Sequence, residues 1–296
     1  MKTKSLFPVF FSLVFLTGIL LTSCEKNAEN NVSGEDVELA EDEAFIDMAF
    51  EDIMSEADAM EAVSFKSTEV GCASVTLENA DNVWTITIDY GEGCEQLIQN
   101  RFGQVIDTIT RKGKVHIERN GLYLQQGSYR TVTLENYSIN GIQVQGTRTV
   151  TNMGLDQNLH MWFTVELQNG QITTPDGIVI TRNSHRERHW VAGEDTPSPI
   201  DDQYRIWGTV DGITAGGEQY SCTIIDSLQI NMACRLMVGG QVEIVVGDRE
   251  PFTLNYGNGD CDATATLERD GQTRQINLRY HARLRVARII RAGNNQ

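Results

Sequence analysis

Between Ser184 and Trp190 the chain reads Ser-His-Arg-Glu-Arg-His-Trp, the densest run of chemically capable side chains in a sequence with only five histidines. From Ile178 onward the residues alternate in the period of an extended strand. His185, Glu187 and His189 therefore share one face, and Arg186, Arg188 and Trp190 share the other. Same-face neighbours stand about 7 Å apart along a strand. Three such groups hold one metal only by reaching inward, with a further ligand from a neighbouring strand; otherwise they form a polar stripe on a half-exposed sheet. The order is not HExxH, because the Glu stands midway between the histidines and the local pattern is not helical.

Other candidates are weaker in type or spacing. Asn258, Asp260 and Asp262 place oxygens on alternate residues, as at the start of a calcium loop, but the glycine at the sixth position and the closing glutamate are missing. Turn chemistry beside Gly257 and Gly259 accounts for them without an ion. Trp84, Trp162, Trp190 and Trp207 each sit in strand-like context, where an exposed indole can stack on a sugar ring and a buried one fills a core. No GxSxG, GxxxxGK[ST] or strand-borne GxGxxG is present, and the histidines nominate no triad, so no cofactor is expected. A hydrolase working through carboxylates remains an alternative whose residues cannot be named.

The chain has six cysteines. A weak internal repeat groups four of them. Cys72 leads through two extended segments to Asp89-Tyr90-Gly91-Glu92-Gly93-Cys94, and Cys234 leads likewise to Asn255-Tyr256-Gly257-Asn258-Gly259-Asp260-Cys261. The repeat selects the pairs Cys72–Cys94 and Cys234–Cys261, each closing a loop worth roughly 3 kcal/mol on a chain-entropy estimate. Cys222 is left as a small buried hydrophobe with no base or cation beside it in sequence. None of the spacings is a CxxC.

At the N-terminus, Lys2 and Lys4 precede an apolar run from Leu6 to Leu21 that is too short and interrupted for a spanning helix. It ends in Leu21-Thr22-Ser23-Cys24, which resembles the lipobox of bacterial lipoproteins. The resemblance implies a signal peptide over 1–23, diacylglycerol on the Cys24 thiol, and a chain anchored to the membrane without crossing it. Glu25, Glu29, Glu35 and Asp36 are similar to acidic tracts that send Bacteroidetes lipoproteins to the outer face of the outer membrane, and serve equally as a solvated spacer.

The elements follow from period and charge. The chain of 296 residues is 40% hydrophobic, 22% charged and formally −17, a composition that excludes collagen-like, wholly disordered and polytopic membrane proteins. Residues 25–61 hold 14 acids against one lysine. Residues 24–39 read as a flexible acidic tether. Over 40–64, Ile46, Phe50, Ile53, Ala57 and Met60 recur at helical spacing with acids on the opposite face, predicting an amphipathic helix docked by its apolar stripe on protein. From Cys72 the period becomes two, and turn signals at Asn120-Gly121, Asn140-Gly141, Asn169-Gly170, Pro175-Asp176-Gly177, Asp211-Gly212, Gly239-Gly240 and Asp270-Gly271 punctuate roughly a dozen strands. The expected fold is all-β: one antiparallel meander over 70–290, built as a curled sheet, sandwich or barrel, preceded by one helix. Its end carries Arg279, Arg283, Arg285, Arg288 and Arg291, a cationic face that can meet the acidic helix or membrane phosphates. Nucleic acid is not an expected partner of so acidic an exported chain.

From Cys72 to about Leu278 the chain resembles uncharacterised lipoproteins of the Bacteroidetes. The resemblance rests on Ile88–Cys94, on Glu135–Gly141 running into Gly146-Thr147-Arg148-Thr149-Val150-Thr151-Asn152, and on Leu254–Asp262. It implies a β-rich, lipid-anchored outer-membrane protein on the periplasmic or surface side, and brings no catalytic residues. The leading expectation is a non-catalytic protein that binds an envelope protein or a glycan. The alternative is a carrier whose curled sheet holds an apolar ligand under a helical lid.

Overall fold

The computed structural model describes residues 32–64, 69–70, 72–99, 105–196, 200–234, 236–262 and 264–277. The expected signal peptide, Cys24, most of the expected tether and the Arg279–Arg291 tail lie outside the described residues. The chain opens with a helix, α1 (Gly34–Ser64). Among the described residues fifteen strands follow: β1 (Glu69–Val70), β2 (Ala73–Ala80), β3 (Val83–Asp89), β4 (Cys94–Gln99) and β5 (Val105–Arg119). Next come β6 (Tyr129–Ile139), β7 (Ile142–Leu155), β8 (Met161–Thr173), β9 (Val179–Ala192) and β10 (Gln203–Ile213). The last are β11 (Gln219–Asn231), β12 (Leu236–Val246), β13 (Phe252–Asn258), β14 (Thr264–Arg269) and β15 (Gln272–Asn277). They form one antiparallel sheet in chain order, as the period and turn signals predict; of the expected alternatives the barrel is not formed, since the sheet is not closed, and β3 and β4 both pair along β5.

Both expected disulfides are present, Cys72–Cys94 and Cys234–Cys261, and Cys222 is a buried free thiol. The turns are legible only in part. Asn140-Gly141 and Asp270-Gly271 make tight hairpins with positive φ at both residues. Asn169-Gly170, Asp211-Gly212 and Gly239-Gly240 instead lie inside β8, β10 and β12. The strands bulge at Asn169-Gly170 and Gly239-Gly240 and approach closely at all three: a Cβ on Gly240, whose φ is +98°, would lie 2.4 Å from the Ser227 carbonyl oxygen. Asn120-Gly121 opens a longer loop, 120–128, rather than a tight turn.

The helix differs from expectation in extent and in surroundings. It starts at Gly34, inside the expected tether, because Ser33 and Asp36 form a reciprocal cap: Asp36 N–H donates to Ser33 Oγ (3.1 Å) and Ser33 N–H to Asp36 Oδ2 (2.7 Å). Ile46, Phe50 and Ile53 are buried as the spacing predicts; the side chains of Ala57 and Met60 lie outside the described ones. Among the described side chains the acids are not all on a wet face, although Glu35 and Glu38 are exposed. Asp36, Asp42 and Glu43 are buried together with Val37, Leu39, Ala40, Phe45 and Ile46. Burial at consecutive positions around the helix means that the sheet curls about it. Val37, Leu39 and Ala40 pack with β10–β15, while Phe45, Ile46, Ala49, Phe50 and Ile53 pack with β2–β9.

Inward-facing arginines make this burial tolerable. Arg269 of β14 grips Asp36 with two hydrogen bonds (2.8 and 3.0 Å). Arg182 of β9 reaches Asp47 Oδ1 at 2.8 Å and Glu43 Oε2 at 3.6 Å, and Arg186 donates twice to Asp47 (3.0 and 3.1 Å). Tyr220 donates to the other Glu43 oxygen. Burial on its own would raise the Asp47 carboxyl, but Arg182 and Arg186 outweigh it and hold the group below its ordinary value. A carboxyl lowered by folding contributes stability above its unfolded pKa, near 3.8, and loses it as pH falls through the folded value. Unfolding midpoints measured from pH 6 to pH 2 should therefore fall most steeply below about pH 4, and less steeply in Asp47→Asn; equal slopes would detach Asp47 from acid stability.

Candidate binding groove on the outer face of the sheet

The alternation in β9 turns Arg182 and Arg186 to the helix and presents His185, Glu187 and His189 outward, as the sequence predicts. Register then decides what stands beside them. His189 pairs with Trp162 of β8 and Arg205 of β10, and Glu187 with Thr164 and Trp207. The His189 ring stacks on Trp162 (centroids 5.5 Å, planes 20° apart) and meets Trp207 edge-on (5.0 Å, 76°). Two indoles from separate strands thus flank one imidazole.

The β7–β8 turn fixes that imidazole. Asp156 Oδ1 accepts the backbone N–H groups of Asn158 (2.8 Å) and His160 (3.0 Å), an Asx turn, while Oδ2 accepts Nδ1–H of His189 (2.8 Å). A carboxylate only accepts, so the proton sits on Nδ1. Burial would raise the Asp156 carboxyl, but the bonds from His189, His160 and Asn158 hold it below its ordinary value. Nε2 of His189 is left facing Glu187, 3.9 Å away. Between turn and strand runs an open groove of about 590 Å³, lined by Leu155, Asp156, Asn158, Trp162, Glu187 and His189. Trp207 and Leu155, 39% and 60% exposed, add apolar surface at its margins.

The other sequence candidates are dispersed. Trp84 lies under Arg119 (5.7 Å) and Trp190 against Tyr204 (5.9 Å), so neither joins this surface. His185 pairs with Glu166 of β8 (3.3 Å) rather than converging with Glu187 and His189. Among the described residues no group of three or more His, Cys, Asp or Glu is placed to hold a metal. Strand pitch explains this, because each histidine takes a carboxylate from the neighbouring element before it can reach the other. Asp262 caps its own turn by accepting Thr264 N–H and Oγ1–H, both at 2.9 Å. Cys222 lies 3.8 Å from Glu43 Oε2, and burial followed by that carboxylate pushes its thiol pKa up, the opposite of an activated nucleophile. A recess of about 20 Å³ beside α1, lined by Glu43, Asp47, Cys222 and Tyr256, has room for one water.

Asp156 and its turn escape a reading based on strand period. The available signal was Asp156-Gln157-Asn158, an Asx-turn sequence joining two strands, but its partner His189 is 33 residues away. No protein-family model, curated protein or solved structure matches the chain.

Proposed function

We propose that this is a lipid-anchored envelope protein, tethered through Cys24, that binds a glycan in the groove bordered by Trp162, His189 and Trp207. The observation that carries the reading is the aromatic triplet itself, held by Asp156 beside exposed amide and carboxylate groups. Indole faces suit the C–H faces of a pyranose, while Asn158 and Glu187 offer hydrogen bonds to its hydroxyls.

Placement along the fold supports display away from an anchor. The start of α1 is held at the β12–β13 turn, where Arg249 pairs with Glu35 (3.2 Å) and with Glu218 of the β10–β11 turn (2.9 Å). In a meander of hairpins the β7–β8 turn lies at the opposite end. Thirteen residues of β8 separate the two ends by about 40 Å. The ten residues from Cys24 to Gly34 reach at most about 35 Å. A lipid on Cys24 would keep the helix start near the membrane and leave the groove at the far end.

Titration calorimetry against a panel of neutral oligosaccharides tests the reading. Trp162→Ala and Trp207→Ala should each weaken binding about tenfold or more, the usual cost of truncating a central indole contact. Thr253→Ala, on β13 and remote from the groove, should not. Unchanged affinity in both tryptophan variants would remove the glycan reading of this groove, and so would absence of binding by the unaltered protein to this panel and to charged oligosaccharides alike.

A further inference from the structure

Resting on that reading, we infer that the groove selects glycans carrying a free amine over neutral ones and rejects anionic ones. Its charged margin is one-sided. Asp156 and Glu187 line it, and Glu194 of the β9–β10 loop stands next to it, bonded to Met161 N–H (2.7 Å) and 3.8 Å from His160 Nδ1. Of these, Asp156 is committed to the turn and to His189, whereas the Glu187 side chain is 49% exposed and stands 3.9 Å from His189 Nε2. The cation in the same row, Arg205, is drawn toward β11 by a 2.9 Å hydrogen bond to Ser227 Oγ. Glu187 and Trp207 are direct cross-strand partners. A carboxylate beside an indole face is a favourable surrounding for an ammonium group, since both the charge and the ring quadrupole attract it. A uronate or sulfate at the same place would meet Glu187 and Asp156 with no free cation from the groove lining.

The test compares three hexamers on the full chain: β-linked glucosamine, β-linked N-acetylglucosamine and α-linked galacturonate. Glucosamine hexamer should bind roughly three- to tenfold tighter than the acetylated one at low salt, the scale of an exposed charge contact. The ratio should shrink at 0.5 M salt and in Glu187→Gln, and galacturonate hexamer should bind weakest. A ratio near one at low salt, a ratio indifferent to Glu187→Gln, or preferred binding of galacturonate would overturn the charge selection while leaving a glycan site in place. Failure of all three hexamers together with the neutral panel would remove the glycan reading as well, and the selection with it.

Discussion

Replacing Arg182 with methionine should lower folding stability by about 3–5 kcal/mol, read from urea unfolding followed by circular dichroism. Arg182 is 1% exposed and sits between Asp47 and Glu43 of the helix, with a further contact to the Glu43 carbonyl oxygen (3.4 Å). Burial works against its charge, but Asp47 and then Glu43 prevail and raise its pKa well above the ordinary value, so it stays charged. Methionine matches much of its length and none of its charge. Arg186 still holds Asp47 in that variant, while among the described residues Glu43 keeps the neutral Tyr220 hydroxyl and Cys222 thiol. The excess negative charge under the sheet is the source of the loss. Glu43→Gln in the same chain removes it and can still accept from Tyr220, so the double variant should recover about 1 kcal/mol or more of what Arg182→Met loses. A single-variant loss below about 1 kcal/mol would mean that water reaches the network and screens it, contrary to its burial.

This network marks where sequence reading stops. The face of each strand is legible from alternation alone: Ile86 and Ile88, Val132, and Ile276 all point inward and are buried. So is the helical spacing of Ile46, Phe50 and Ile53. A buried acid, however, has the same letter as a solvated one. What turns Asp36, Glu43 and Asp47 inward is an arginine on a strand more than 130 residues away, and nothing in a local window signals that pairing. The same limit applies to glycine pairs. Gly-Gly or Asp-Gly marks a turn where the chain must reverse, but also a place where a neighbouring backbone comes too close for a Cβ. Gly212, with the Thr181 carbonyl oxygen 2.1 Å from where its Cβ would lie, is of the second kind.

The candidate groove was half legible for a related reason. Strand period placed His189 outward and nominated Trp162 and Trp207, but it also nominated Trp84 and Trp190, whose side chains lie elsewhere. Only register separates the two sets. An irregularity between Leu167 and Gly170 adjusts the β8–β9 register that sets Trp162 opposite His189, while the uninterrupted β9–β10 pairing from Tyr204 to Ile213 sets Trp207 opposite Glu187, beside the same imidazole.

Phe50→Ala should cost about 3–5 kcal/mol and should shift one coincident unfolding transition rather than create two. Phe50 is 4% exposed and lies in the same core cluster as Ile86, Val115, Val132, Phe163 and Ile180, residues of β3, β5, β6, β8 and β9. If α1 were a removable lid, weakening it would release the helix first. Far-ultraviolet circular dichroism would then change at lower urea than the fluorescence of the four tryptophans, all of which lie on the sheet, and an apolar dye would bind the opened sheet in between. If α1 is the centre of the core, both signals should move together to lower urea with no dye-binding intermediate. The second outcome follows from the packing: an open antiparallel sheet without α1 would expose the inner faces of most of its strands to water, along with buried arginines deprived of their carboxylates. Glycan binding offers an independent readout. Trp162, His189 and Trp207 stand on the outer face of β8, β9 and β10, whose inner face carries Phe163, Ile180 and Ile206. The helix therefore supports the groove from behind. Affinity in Phe50→Ala should match the unaltered protein at low urea and vanish at the same urea concentration as the fold. Loss of helix signal with retained sheet fluorescence would instead identify α1 as a separable cover.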